Sequence, residues 1–313
     1  MTSNADAPLA GVRVLDISAV VAGPYAALLL ADLGADVIKV EMPEGDLLRW
    51  IAGRSTTPGM SGKFLHLNRN KRSICLDLKK DGARAALLDI AKGCDVFLHN
   101  LREPAIEKLR LTYAEVAAVV PNIVYASIAG FGRGGPYRGK PAYDSIIQGS
   151  AGLAALYERV AGEPRYLPMV IADRTIGLMT ANTILAALLR RTRTGRGMAI
   201  ELPMFEKIAA LVMAEHMYEG TFDPALGPPG DPRLVDPEAR PVKTQDGYVC
   251  VTANTDAQAF AMFDVIARPE LKTDPRFSTK LERARNAGAM FQIRRTEIAK
   301  GTTAQWLERF ERA

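Results

Sequence analysis

Short runs of β-branched and apolar residues alternate with longer Ala- and Leu-rich stretches over the first two thirds of the chain. Residues 11–17 form the first run, which is followed by Gly23, Pro24 and an apolar stretch that ends at Gly34. This order predicts a strand, a turn, a helix and a glycine cap. A second run, residues 36–41, predicts another strand. Together these segments are typical of a βαβ unit with a crossover helix.

The same alternation continues beyond this unit and predicts a series of further strands and helices. We expect the strands at residues 74–78, 95–100, 123–130 and 198–203, and the helices at 82–92, 114–119, 175–191 and 204–218. Strands that alternate with helices in this way predict a mostly parallel, doubly wound α/β sheet.

The composition changes near residue 223. Residues 223–241 hold six prolines and show little periodicity, which indicates a linker. Beyond it, residues 247–253 resemble a strand, and residues 257–266 and 302–310 have helical periodicity. We therefore expect a large domain over residues 1–222, a linker over 223–245 and a smaller α+β domain over 246–313.

Composition and charge limit the possible partners. The chain has 313 residues, of which 48% are hydrophobic and 24% charged, and its formal net charge is +5. This charge is compatible with an anionic ligand, but no basic stripe interleaved with aromatic residues occurs, so we do not expect nucleic acid as a partner. The apolar stretches fall short of the roughly 20 residues that a membrane helix needs. The N-terminus lacks a secretory pattern, and Cys75, Cys94 and Cys250 form no metal-binding pair, so we expect a cytoplasmic protein without a metal.

In an open parallel sheet, ligands bind beyond the carboxyl ends of the strands, where this sequence concentrates its turns. We expect the ligand crevice to be lined by residues 18–24, 41–46, 79, 100–102, 130–140 and 173. The turn after the first strand lacks G-x-G-x-x-G, and no P-loop sequence occurs, so we expect no tightly bound dinucleotide or other cofactor. His66, His99 and His216 are too scattered for a catalytic or metal arrangement, and we interpret them as structural or surface residues.

Asp173 lies between an apolar run and the predicted helix 175–191. It could be an ordinary N-cap of that helix. It could also be a nucleophile, because a helix N-terminus favours the ionised carboxylate that such chemistry needs. The two interpretations are compatible. The glycine-rich residues 130–136 could likewise bring backbone N–H groups to an anion or form a plain surface turn.

A series of motifs runs in order across residues 8–200. They are P-L-A-G-V-R-V-L-D at 8–16, A-G-P at 22–24, L-G-A-D-V-I-K-V-E at 33–41, N-K-R-S at 70–73, D-V-F-L-H-N at 95–100, I-V-Y-A-S-I-A-G-F-G-x-x-G-P at 123–136, Y-D at 143–144, P-M-V-I-A-D-R-T-I-G-L at 168–178 and T-G-R-G at 194–197. D-P-R-F at 274–277 extends the series into the smaller domain. Together the motifs resemble the class III CoA-transferase family of CaiB/BaiF type, which includes formyl-CoA transferase, carnitine CoA-transferase and the α-methylacyl-CoA racemases.

The resemblance implies a Rossmann-like large domain, a smaller domain and an interlocked homodimer. It also implies that Asp173 attacks an acyl-CoA thioester, that CoA then forms an aspartyl thioester, and that a small carboxylic acid accepts the CoA. Acyl-CoA would thus be a substrate and not a resident cofactor. By position, the residues that contact CoA would be Val21, Ala22, Met42, Leu76, Asp77, Leu78, Lys79, Asn100, Leu101, Arg102, Lys108, Lys140, Tyr143 and Asp144.

The sequence departs from the family pattern at several places. Val21 and Met42 stand where transferases of small dicarboxylates often have Gln and Arg, so the substrate cannot be copied from them. Tyr143 replaces the His that serves the racemases as a base. The chain ends at Ala313, so we expect the family's C-terminal return segment to be absent. A racemase-like acyl-CoA enzyme and an inactive CoA-binding protein are therefore the alternatives to a transferase.

Overall fold

The structure, a computed structural model, describes residues 6–313 and divides into two compact units. The larger unit is the chain up to Ala151 together with Leu167–Leu211. The smaller unit is Gly152–Tyr166 together with Val212–Ala313. The segment Gly152–Tyr166 therefore groups with the C-terminal part of the chain, although its sequence pattern does not set it apart from the residues around it.

A six-stranded, all-parallel sheet forms the centre of the larger unit. Its strands are β1 (Arg13–Asp16), β2 (Asp36–Glu41), β3 (Lys71–Cys75), β4 (Val96–His99), β5 (Val124–Ala129) and β6 (Met198–Pro203). Their spatial order is 3-2-1-4-5-6, which is the order of doubly wound dinucleotide-binding folds. The predicted doubly wound sheet is confirmed, and its topological switch point lies between β1 and β4.

Fourteen α-helices lie within residues 6–313. They are α1 (Ala22–Asp32), α2 (Leu48–Ile51), α3 (Gly62–Asn68), α4 (Asp81–Ala91), α5 (Glu103–Lys108), α6 (Tyr113–Val119), α7 (Asp144–Ser150), α8 (Leu153–Ala161), α9 (Ile171–Thr194), α10 (Met204–His216), α11 (Asp256–Val265), α12 (Lys280–Arg285), α13 (Ala287–Ile298) and α14 (Thr303–Glu311). None of them is both long and apolar enough to cross a membrane.

One face of the sheet packs against α4 and α6. Leu15, Phe97 and Tyr125 from successive strands join Leu87 of α4 and Val116 of α6 in one buried cluster. This interior removes a large apolar area from water, which is the main favourable contribution to folding. It holds the central strands, and hence their carboxyl ends, in fixed positions.

Helices α1 and α9 pack closely against each other. A glycine at the crossing permits this approach: a Cβ atom on Gly177 would lie 2.9 Å from the Ala22 carbonyl oxygen and 2.8 Å from a ring carbon of Tyr25. Both separations are far below normal contact distances. The crossing therefore sets the position of the first turn of α9 relative to the start of α1.

The smaller unit is mostly helical and has its own core. Strands β7 (Val242–Lys243) and β8 (Tyr248–Val249) form a short antiparallel pair, so the strand that we predicted over 247–253 is only two residues long. Phe263, Ile298 and Trp306 are buried in this core. The predicted helices near 257–266 and 302–310 are confirmed as α11 and α14.

Candidate active site

The loop between β1 and α1 is anchored by side chains that follow two other strands. The Asn100 side chain accepts the Ala19 N–H at 2.9 Å and donates to the Ala19 carbonyl oxygen at 2.7 Å. The Val20 N–H donates to the Asp46 carboxylate at 3.1 Å. Val20 has a φ of 70°, a left-handed conformation that is unfavourable for a β-branched residue. The anchoring hydrogen bonds therefore stabilise a strained loop at the switch point of the sheet.

Two buried lysines connect this loop to the sheet beneath it. Lys39 donates to the Ser18 carbonyl oxygen at 2.9 Å and to Asp46 at 3.3 Å, and Lys71 donates to Asp16 at 3.0 Å. Burial alone would raise the pKa of Asp16, but the charges of Lys71 and Lys39 hold it below its ordinary value. Asp16 is therefore ionised, and the hydrogen bonds of the two lysines hold the loop against the sheet.

Two adjacent cavities lie beyond the carboxyl ends of the strands. Cavity 1, of about 570 Å³, lies beyond β1 and β2 and extends to α4 and α5. Cavity 2, of about 560 Å³, lies beyond β4, β5 and β6. Ala19, Leu101 and Ala105 line both, so they form a shared wall. An elongated ligand could pass over this wall from one cavity to the other.

Three of the cationic side chains that line cavity 1 have no anionic partner among residues 6–313. Lys79 and Lys108 make no side-chain hydrogen bond or ion pair with any residue in the range 6–313. The Nε of Arg84 is buried and also lacks a hydrogen-bond partner there. Met42 and Leu78 add apolar surface. This combination suits an anionic ligand that also has an apolar or aromatic part.

Asp173 lies in the first turn of α9 and lines cavity 2. The helix begins at Ile171, with Val170 as its N-cap residue, so the predicted N-cap position of Asp173 is wrong. Instead, the Asp173 N–H donates to the carboxylate of Asp144 at 3.1 Å. Gln148 holds the other Asp144 oxygen with a hydrogen bond of 2.6 Å. A carboxylate from α7 thus satisfies the helix start and leaves the Asp173 side chain available to the cavity.

The electrostatic environment of Asp173 also differs from the prediction. We expected the helix N-terminus to favour the ionised form. Burial, followed by repulsion from the Asp144 carboxylate, raises the pKa of Asp173 to about 6, while Lys63 and Arg174 oppose the shift. The carboxylate is still mostly ionised at neutral pH, and it is a stronger base than an ordinary aspartate. Both properties favour a nucleophile.

The structure brings most of the sequence-predicted residues to one of the two cavities. Those lining cavity 1 are Met42, Leu78, Lys79, Leu101 and Lys108. Those lining cavity 2 are Val21, Ala22, Asn100, Leu101, Arg102, Lys140, Tyr143 and Asp173. The remaining three, Leu76, Asp77 and Asp144, line neither cavity. Leu76 packs against the core, and the buried Asp144 accepts the backbone N–H of Asp173.

Several polar residues of the cavities escaped the sequence analysis. His99, Glu103, Ser127 and Glu201 line cavity 2, and Arg84 lines cavity 1. The scattered histidines of the sequence give no reason to place His99 at a site, and they favour a structural or surface role for it. Position along the strands could have indicated two of the polar residues, because His99 and Ser127 lie at or near the carboxyl ends of β4 and β5. No group of three or more His, Cys, Asp or Glu residues among 6–313 is placed to hold a metal ion.

Comparison with known proteins identifies the family. Residues 9–313 match the sequence model of CoA-transferase family III. The chain belongs to CoA-transferase family III. The transferase is 33% identical to the succinyl-CoA:glutarate CoA-transferase of Mus musculus, over 97% of this chain and 70% of the mouse protein. It is 32% identical to the acetyl-CoA:oxalate CoA-transferase of Acetobacter aceti, over 98% of this chain and 79% of that protein.

Solved structures agree with this assignment. The transferase superposes on Rv3272 of Mycobacterium tuberculosis with a TM-score of 0.82 and 30% identity, over 97% of this chain and 81% of that one. A CAIB/BAIF family protein of Brucella suis gives a TM-score of 0.79 and 30% identity, over 97% and 82% of the two chains. The predicted resemblance to class III CoA-transferases is therefore confirmed, and the protein is an enzyme of that class.

Proposed function

We propose that the transferase moves CoA from an acyl-CoA thioester to a small carboxylic acid, with Asp173 as the covalent nucleophile. The observation that carries this proposal is the placement of Asp173 in cavity 2, next to the cationic cavity 1. A carboxylate with a pKa of about 6 is ionised at neutral pH and basic enough to attack a thioester.

Cavity 1 would receive the nucleotide part of CoA. Its unpartnered Lys79, Lys108 and Arg84 side chains suit phosphate groups, and Met42 and Leu78 suit the adenine ring. The pantetheine chain would then cross the wall at Ala19, Leu101 and Ala105 and bring the thioester into cavity 2. Tyr143 and Asp144 resemble CoA-contacting positions of the family. Tyr143 lines cavity 2 and would contact the ligand, whereas Asp144 would hold Asp173 in position.

The reaction would proceed through four acyl transfers. The Asp173 carboxylate attacks the thioester carbonyl, the C–S bond breaks, and an acyl-aspartyl anhydride and CoA thiolate form. The thiolate attacks the aspartyl carbonyl, which releases the donor acid as a carboxylate and leaves an aspartyl-CoA thioester. The acceptor carboxylate attacks this thioester and forms a second anhydride with release of CoA thiolate. The thiolate then attacks the acceptor carbonyl, which gives the new acyl-CoA and restores Asp173.

None of the four steps transfers a proton. The site therefore needs an ionised carboxylate and a fixed geometry, but no general base. This requirement agrees with a cavity in which Asp173 is mostly ionised and His99, with a pKa lowered to about 4 by burial and by the charge of Arg133, is neutral. A racemase would instead need a base at the α-carbon.

Intact-mass spectrometry with acyl-CoA tests the proposal directly. The enzyme incubated with acetyl-CoA should gain the mass of CoA less one water, and hydroxylamine should convert this adduct to a hydroxamate at Asp173. Asp173→Asn should form no adduct and should lose transfer activity by several orders of magnitude, since binding alone cannot replace a nucleophile. Transfer by Asp173→Asn within a few-fold of the parent would remove Asp173 from the mechanism.

A further inference from the structure

His99 is the last residue of β4 and is 3% exposed, yet it lines cavity 2. Its Nδ1 accepts the Leu101 N–H at 3.2 Å, which places the ring proton on Nε2. The Nε2 atom is buried and has no hydrogen-bond partner within residues 6–313. A buried donor without a partner is rare in folded proteins and points to a missing acceptor.

The surroundings of His99 restrict what the ring can do. The ring of Tyr125 lies edge-on with its centroid 5.2 Å away, and that of Phe97 lies 6.4 Å away. Burial, and then the charge of Arg133, lower the pKa of His99 to about 4, so the imidazole is neutral at physiological pH. Its remaining lone pair is occupied by Leu101. His99 can therefore donate one hydrogen bond, but it cannot act as a base or as a counter-cation.

The polar side chains that line cavity 2 with His99 do not supply the acceptor, since its Nε2 atom has no hydrogen-bond partner within residues 6–313. Their hydrogen bonds go to other groups. Glu201 holds Arg133 at 2.6 Å, and Ser127 donates to a backbone carbonyl at 3.2 Å. Glu103 forms a two-fold ion pair with Arg138. A ligand that enters the cavity can therefore supply the acceptor for His99.

The division between the cavities indicates which part of a ligand reaches His99. His99 lines cavity 2 but not cavity 1, and the ends of β5 and β6 line cavity 2 as well. The pantetheine chain of CoA would enter cavity 2 across the wall shared with cavity 1. For Asp173 to reach the thioester, the acyl group must lie in cavity 2, which His99 also lines. We therefore assign the group that meets His99 to the acid.

We propose that His99 is a specificity-determining residue whose Nε2–H donates a hydrogen bond to an oxygen of the acid bound in cavity 2, other than the oxygen of the thioester carbonyl. The proposal rests on the proposed function in that it takes an acyl-CoA as the ligand. It implies a preference for acids that carry a hydroxyl, oxo or second carboxylate group over hydrocarbon acids of equal length. A site with an unpaired buried donor rejects a ligand that lacks the acceptor.

Equilibrium binding to variants of His99 tests this inference. The titrations use succinyl-CoA and butyryl-CoA, whose acyl groups have equal length, on enzyme that also carries Asp173→Asn so that no turnover occurs. His99→Leu should reduce the ratio of the two affinities roughly tenfold or more, because only succinyl-CoA loses the hydrogen bond that His99 donates. His99→Gln, whose amide can place an N–H near the Nε2 position, should recover most of the ratio. His99→Asn, whose amide lies near Nδ1, should not.

Two results would overturn the proposal. An unchanged affinity ratio in all three variants would make His99 a structural residue whose proton meets water. An equal loss for succinyl-CoA, butyryl-CoA and free CoA would place the contact on the pantetheine chain. If His99→Leu does not fold, the His99→Gln and His99→Asn pair gives the same comparison. If the proposed function is wrong, the unsubstituted enzyme should bind acyl-CoA without any transfer of CoA. The ratio of the succinyl-CoA and butyryl-CoA affinities would still test the role of His99 in that case.

Discussion

At the residue scale, Asp144 and Asp173 lie 29 positions apart in the chain but are in contact, since the Asp173 N–H donates to Asp144 at 3.1 Å. The Asp144 carboxylate does two things at once. It accepts the N–H at the start of α9, and its charge raises the pKa of Asp173 beyond what burial alone produces. Gln148 keeps that carboxylate oriented. In the proposed mechanism Asp144 would thus tune the reactivity of Asp173.

The pH dependence of transfer should report this pair. In the proposed mechanism only the ionised Asp173 attacks a thioester, so kcat/KM should fall below a midpoint near pH 6. Asp144→Asn keeps an acceptor for the helix N–H but removes the like charge, so the midpoint should move to lower pH. Asp89→Asn, which removes a carboxylate of α4 that lines neither cavity, is the matched control. An unmoved midpoint in Asp144→Asn would show that burial alone sets the pKa.

The free energy of unfolding should also depend on the pKa of Asp173. It should fall as pH rises, whereas kcat/KM should increase. Asp173 ionises near pH 4 in the unfolded chain and near 6 in the folded protein, so ionisation costs the folded state more. The folded state is therefore destabilised relative to the unfolded chain as pH rises from about 4 to 6. Asp173→Asn cannot ionise and should be more stable than the parent at pH 7.5, by up to roughly 3 kcal/mol. Denaturant unfolding at pH 7.5 and pH 4 measures this, and a less stable Asn variant at pH 7.5 would contradict it.

At the scale of elements, the crossing of α1 and α9 holds the first turn of α9, which carries Asp173, in place. Gly177→Ala would put a Cβ atom 2.9 Å from the Ala22 carbonyl oxygen, so the two helices must move apart. We expect a loss of about 1–3 kcal/mol in unfolding free energy and a fall in kcat, because Asp173 lies one turn before the crossing. Gly82→Ala is the matched control, since a Cβ atom there meets nothing within 4 Å. Full activity in Gly177→Ala would show that the turn is positioned by other contacts.

Most elements follow from the hydrophobic pattern, and the exceptions have physical causes. The bounds of β2 and β6 are those that the pattern predicts. Strand β3 is Lys71–Cys75 and not 74–78, because it is an edge strand with mostly exposed side chains, while the apolar residues that follow it pack from a loop. Helix α9 begins earlier than predicted because the Asp144 carboxylate supplies its terminal acceptor from another helix.

At the scale of the whole molecule, we predict a homodimer whose chains wrap around each other. The segment 223–245 contains little regular structure and six of the chain's prolines fall within 223–241, so it is stiff enough to span between subunits. Trp50 and Ile51 on α2 are 60% and 64% exposed, and such apolar surface is commonly covered by a partner. The interface should exceed the ~1,200–2,000 Å² of standard complexes.

Light scattering over a wide concentration range tests the dimer. The expected mass is twice that of the chain down to low micromolar concentration, with dissociation only where the protein also unfolds. Ile51→Asp should weaken the dimer if α2 is part of the interface, whereas Leu65→Asp on the exposed side of α3 serves as a comparison. A stable, folded monomer would show that the interlocked assembly does not extend to this chain.

The sequence alone determined the doubly wound sheet, the edge at which its strands end, the family, and Asp173 as the candidate nucleophile. These depend on local periodicity and on motifs that are contiguous in the chain, which a single sequence displays directly. Only the tertiary structure decided that Asp173 has a raised pKa, that Asp144 accepts its N–H, and that His99 lines cavity 2 with a buried Nε2 atom that has no partner within residues 6–313. Each of these depends on groups that are distant in sequence and on the loss of water around them. Desolvation and long-range contacts exist only once the chain has folded.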